Sequence, residues 1–133
     1  MRRIAWIGAV TATLLCAGCA ADQGPKERFA KAAIDAKANL ATPAGRSYEE
    51  ALSVHFEKHS GDALMQCVNA TVQPDASPFD MIFELSITGQ ARSILVWPET
   101  NLAQCFKVRL IGETFPVPPS DGYLAFMEMS FSP

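Results

Sequence analysis

Two histidines offer the sharpest chemistry in the chain. His55 and His59, in the stretch HFEKH, stand four residues apart and would share one face of a helix. Two imidazoles at that spacing can grip zinc. A zinc peptidase also needs a glutamate directly after the first histidine as its base, and Phe56 stands there. The sequence names no third ligand, although Glu49, Glu57 and Asp62 lie close enough along the chain to approach. A solvated helix face accounts for the pair better. No metal and no cofactor are expected.

Other catalytic constellations are missing from the sequence. No G-x-S-x-G elbow and no Gly-rich phosphate loop occur, and nothing sets a serine or an aspartate beside a histidine. Glu84 and Glu128 would both leave the sheet and could be neighbours across strands. A glycosidase needs its two carboxyls held about 5–9 Å apart across a groove, and two solvated surface glutamates fit the pattern better. Trp97-Pro98 could support a ligand, but a tryptophan at a strand end usually packs. The chain is expected not to be an enzyme.

The cysteines divide into an address and a staple. The chain opens MRRIAWIGAVTATLLCAGC. Arg2 and Arg3 precede an apolar run from Ile4 to Leu15, too short to span about 30 Å of hydrocarbon. That is the layout of an export signal. Ala17-Gly18-Cys19 resembles a bacterial lipobox, with Cys16 where the motif prefers leucine. The resemblance implies cleavage after residue 18, a signal peptide over 1–18 and lipid attachment at Cys19. The rival reading is a soluble secreted protein cut elsewhere. Two or three acyl chains on one cysteine anchor stably, whereas a single chain is marginal. Ala20 and Ala21 follow, with no aspartate directly after the cysteine. By resemblance to enterobacterial sorting, that leans toward the periplasmic side of the outer membrane. Cys67 and Cys105 remain, 38 positions apart. In an oxidising compartment two leftover thiols of a small domain most often form a disulfide.

Charge and length narrow the partners. Loss of Arg2 and Arg3 with the signal takes the net charge from −3 to about −5. An acidic chain without a basic cluster argues against nucleic acid and acidic glycans. The length left after residue 18 suits one small domain. No run of 18 apolar residues follows Cys19, so no second membrane element is expected.

The elements that must position these residues follow from pattern. KERFAKAAIDAKANL, residues 26–40, is rich in good helix formers but carries only a thin apolar stripe of Phe29, Ala33, Ile34 and Leu40. A lipidated tether and partly detached helical stalk are expected over 19–45. Thr42-Pro43-Ala44-Gly45 should break the stalk. Ser47 and Glu50 form a capping-box pattern for a helix over 48–59. Gly61 should end it and Asp62 cap a short helix over 63–70, unless the joint is only a kink. From Phe79 to Ile87 every odd position is apolar, the mark of a half-buried strand. Thr88-Gly89-Gln90 is a turn, and 91–97 a returning strand whose skipped step suggests a bulge. Thr100 or Asn101 caps a helix reaching Leu110, and Tyr123–Phe131 alternates again. The fold class is α+β: helices on one face of a three-stranded antiparallel sheet, two layers in α-β-β-α-β order, with an N-terminal helical extension.

That order resembles the C-terminal domain of the TonB family. The residues that carry it are the hairpin FELSITGQARSILV, the helix around Asn101–Leu110, the segment ETFPVPP and the last strand YLAFMEMSF. The resemblance covers about residues 62–133, within an expected domain over 46–133. Some relatives carry paired cysteines at positions matching Cys67 and Cys105. The N-terminal transmembrane helix and long Pro-rich span of TonB proteins have no counterpart here. The resemblance therefore implies a fold and a mode of contact, not energy transduction. In TonB-like domains the last strand can pair with an extended peptide by edge addition. Tyr123, Leu124, Phe126 and Glu128 are then the candidate partner-binding residues. Leu124 and Phe126 are apolar on an outward face, unless a helix from residues 26–59 covers them.

Two functions follow as expectations. One is a non-catalytic, periplasm-facing lipoprotein, held to the membrane by its lipid, that binds an envelope protein through a TonB-like domain. The other is an immunity or inhibitor lipoprotein that neutralises a periplasmic toxin or hydrolase, for which a negative charge would suit a basic target. Neither calls for a nucleic acid or a small-molecule substrate.

Overall fold

A computed structural model describes residues 24–132; the expected signal peptide and Cys19 lie outside the described residues. The elements run α1 (Pro25–Leu40), α2 (Pro43–His59), α3 (Gly61–Ala70), β1 (Phe79–Leu85), β2 (Ala91–Trp97), α4 (Asn101–Leu110) and β3 (Tyr123–Met129). The three strands form one antiparallel sheet in the order β2-β1-β3. The fold is α+β, as its alternating strands and capped helices predict. Among the described residues no helix is long and apolar enough to cross a membrane.

The main core fills the face read from the odd positions. Met81, Phe83 and Leu85 of β1 and Ala125 and Met127 of β3 point at α2, α3 and α4. Leu52, Leu102 and Phe106 meet them from the helices. Cys67 and Cys105 join α3 to α4 in a disulfide, with the Cα atoms 5.8 Å apart. The bridge expected from two leftover cysteines is present, on two helices of the same layer.

The opposite face is covered as well, which corrects the two-layer, stalked arrangement. Phe29 and Ala36 of α1 are buried with Ile82 of β1 and Phe126 of β3. Ala32, Ala33, Leu95, Trp97 and Leu124 pack around them. The layers are therefore three: α1, the sheet, and α2–α4. A stripe made mostly of alanine has little hydrophobicity to announce itself. Its small side chains instead let the helix axis come close to the strands. Ile34, counted in the expected stripe, faces solvent at 71% exposure. β1 buries Met81 and Phe83 on one face and Ile82 on the other because helices cover both faces of the sheet.

Helix termini differ from expectation at two joints. Thr42-Pro43 starts α2 rather than ending a stalk. The Thr42 hydroxyl accepts from the Gly45 N–H at 3.0 Å, and Pro43 sits in the first turn, where its missing N–H costs nothing. Ser47 and Glu50 thus lie inside the helix, and the expected boundary at residue 45 falls within α2. Gly61 opens α3 instead of closing α2, and the single residue Ser60 separates the two helices without a side-chain cap, so the joint is a kink. Asp62, expected to cap α3, lies in its first turn instead. The Thr100 hydroxyl caps α4 by accepting from the Ala103 N–H. Gly89 takes a positive φ in the hairpin turn, and β2 carries its register shift opposite Glu84 and Leu85. β1 stops at Leu85 and β3 at Met129, two residues short of the patterns.

Candidate functional site at the free edge of β3

The sheet has two edges, and they are treated differently. On the β2 edge the bulge and the exposed Arg92 interrupt regular pairing. A segment also lies against its start. Gln90 bridges to Thr114, and the Phe115 N–H donates to the Gly89 carbonyl at 2.8 Å. On the β3 edge the cover is partial. The Asn39 side-chain amide donates to the Leu124 carbonyl at 3.0 Å. In an antiparallel ladder the main-chain groups of successive residues turn alternately toward and away from the neighbour. With the Leu124 carbonyl turned outward, Phe126 and Glu128 share that direction.

A groove of about 320 Å³ runs beside those outward groups. Leu40 of α1, Glu49 and Ser53 of α2, and Phe126, Met127 and Glu128 of β3 line it. The size falls at the low end of ligand clefts, roughly 300–1,000 Å³.

The four residues expected to contact a partner separate by burial. Tyr123 is buried, with its ring edge-on to Tyr48 at 5.3 Å between centroids. Burial pushes its phenol above the usual range, and the charge of Glu49 adds to that. Leu124 is half-buried and packs against the cluster beneath α1. Phe126 is 7% exposed, and the Lys37 ammonium sits 4.8 Å from its ring centroid. The apolar outward face is thus covered by a helix. Only Glu128 presents its side chain to solvent. What the β3 edge offers is main chain, bordered by Glu128.

Charge concentrates around this edge. Asp80 pairs across the strands with Glu128. Burial pushes the Asp80 carboxyl up first, the neighbouring Glu128 charge pushes it further, and Lys37 acts in the opposite direction. From the sequence, Glu49 is expected only as one of three acids that could approach the His55–His59 pair. Its place beside β3 follows from how α2 packs, which no local pattern encodes.

The histidine pair resolves differently. The rings of His55 and His59 lie 4.8 Å apart between centroids. His55 Nε2 lies 3.3 Å from Glu113 Oε2, and the buried Ser60 hydroxyl donates to that same oxygen at 3.1 Å. Both groups converge on a carboxylate rather than on each other, so Ser60 and His55 form no nucleophile–base pair. Among the described residues, no group of three or more His, Cys, Asp or Glu is placed to hold a metal ion. Glu84 and Glu128 are not neighbours. The strand partner of Glu84 on β3 is Leu124, that of Glu128 on β1 is Asp80, and the Ser93 hydroxyl bonds Glu84 at 3.2 Å. Trp97 packs at the cluster under α1.

No family model matches the chain, and no curated protein and no solved structure matches it.

Proposed function

We propose that this chain is a non-catalytic, lipid-anchored protein of the bacterial envelope. It faces the periplasm and binds an envelope protein by adding an extended segment of that partner to β3. The observation that carries the reading is the edge itself. β3 ends the sheet, the outward main-chain groups of Phe126 and Glu128 border a groove, and the cover by Asn39 stops at Leu124. An edge of this kind recognises an incoming strand through main-chain hydrogen bonds and side-chain pockets. The TonB-like element order supports the same mode of contact. The anchor rests on the lipobox-like Ala17-Gly18-Cys19, and the outer membrane on the residues after Cys19.

In-cell photocrosslinking tests it. A photoreactive amino acid placed at Glu128 is expected to trap a discrete envelope protein. The same group at the exposed Val108 of α4 is expected to trap none. With Cys19→Ala the adduct should fall or disappear, because the chain is released from the membrane. Equal labelling from both positions would overturn the edge as the contact. A soluble toxin or hydrolase trapped in both Cys19 backgrounds would replace the adaptor with an inhibitor.

A further inference from the structure

We infer that the β3 groove takes a basic extended peptide, in which lysine or arginine alternates with apolar residues. The inference rests on the edge-addition reading above and names the chemistry of its partner. Its support is the charge and shape of the two walls. Glu49 of α2 and Glu128 of β3 both line the groove, together with the apolar Leu40, Phe126 and Met127. Asp80 adds a third carboxylate behind Glu128. Lys37 is the cation drawn into this surface, and it is held over the Phe126 ring.

An added strand has side chains pointing alternately to its two faces. On one face they would meet Leu40 and the α1 side. On the other they would meet Glu49 and Ser53. A strand carrying cations on alternate positions would place them against Glu49 while its apolar residues rest beside Phe126. Glu128 also lines the groove and adds its charge to the same surface. A second copy of the chain is a poor occupant, because it would bring its own Glu128 and Glu49 to the same carboxylates. An acidic segment meets the same repulsion.

The test uses the full chain in detergent and three synthetic hexapeptides: alternating lysine–valine, threonine–valine and glutamate–valine. Affinity is read by calorimetry and location by the amide resonances of residues 126–129. The lysine peptide is expected to bind, shift those amides and weaken as salt rises, since exposed pairs are screened. The double variant Glu49→Gln/Glu128→Gln keeps side-chain shape and should lower its affinity about three- to tenfold. The glutamate peptide should bind weakest. If the threonine and lysine peptides bind alike at residues 126–129, and the glutamines change nothing, the basic chemistry is wrong while the edge reading stands. Binding of the lysine peptide without any shift at 126–129 overturns the inference, as does a dimer joined through β3. If no peptide binds, the inference also falls, and the crosslinking at Glu128 separately decides the edge.

Discussion

The Asn39 side chain bonds the Leu124 carbonyl at 3.0 Å, across 85 residues of sequence. The same residue's own carbonyl accepts from the Thr42 hydroxyl at 2.7 Å. One asparagine thus fixes the end of α1 to β3 and starts the turn into α2. It also sets where the open part of the β3 edge begins.

Gly45 makes that turn possible. A Cβ on Gly45 would overlap the Asn39 carbonyl and crowd the Thr42 hydroxyl. The obstacle is main chain, which cannot rotate away. Gly45→Ala is therefore expected to destabilise the fold by about 1–3 kcal/mol, as overpacked sites do, although alanine is the better helix former. Urea unfolding measures it. An unchanged or raised midpoint would show that α1 and α2 do not meet in this way.

Phe29 decides whether α1 belongs to the folded unit. It is buried with Ile82 and Phe126 on the face away from the main core. Truncating such a side chain costs about 3–5 kcal/mol when it is fully enclosed, and Phe29 lies at the margin of its cluster. Phe29→Ala should cost about 2–4 kcal/mol and raise the hydrogen exchange of β3 amides near Phe126. A detached stalk would give no change in either measurement.

How much of this was legible before the structure depends on where each signal lives. The strands were legible because alternation is local: Phe79 to Leu85 and Tyr123 to Met129 carry their own period. The turn at Gly89 and the cap at Thr100 are local too. The disulfide followed from counting, once Cys16 was read as leaving with the signal and Cys19 as the lipid attachment. What failed depended on tertiary contact. An alanine stripe on α1 gives no strong pattern, yet it covers Phe126. Thr42-Pro43 reads equally as a breaker and as a helix start, and only the approach of Gly45 to Asn39 separates the two. Glu49 became a site residue, and Glu113 the partner of His55 and Ser60, through packing of distant segments. Nothing in their neighbourhoods marks them.

The Cys67–Cys105 bridge ties α3 to α4 across 38 residues. In the loop-entropy account that restricts the unfolded chain by about 4 kcal/mol. The double variant Cys67→Ala/Cys105→Ala should lose about 3–4 kcal/mol, read as a lower urea midpoint. Reductant should lower the wild-type midpoint in the same direction and leave the variant unchanged. A variant as stable as the parent would show that α3 and α4 need no covalent tie.

Two aspartates should give opposite pH signatures. Asp121 accepts from the Ile87 N–H and from Arg92, which hold its carboxyl below the usual aspartate range. With the folded value depressed, its contribution is present above the unfolded pKa, near 3.9. It is lost as pH falls through the lower folded value. Asp80 is the reverse, raised first by burial and then by Glu128. Between its unfolded and folded values the native state holds more protons, so stability falls as pH rises through that window. Above it Asp80 is a standing cost. Asp80→Asn should therefore raise stability at neutral pH, by up to about 1 kcal/mol, and the gain should vanish below pH about 4. Asp121→Asn should lower stability at neutral pH, with the difference also closing in acid. Urea midpoints at pH 3, 5 and 7 for both variants measure it. A neutral-pH loss for Asp80→Asn would mean that its attraction to Lys37 outweighs burial and Glu128, and the acidic character assigned to this edge would have to be revised.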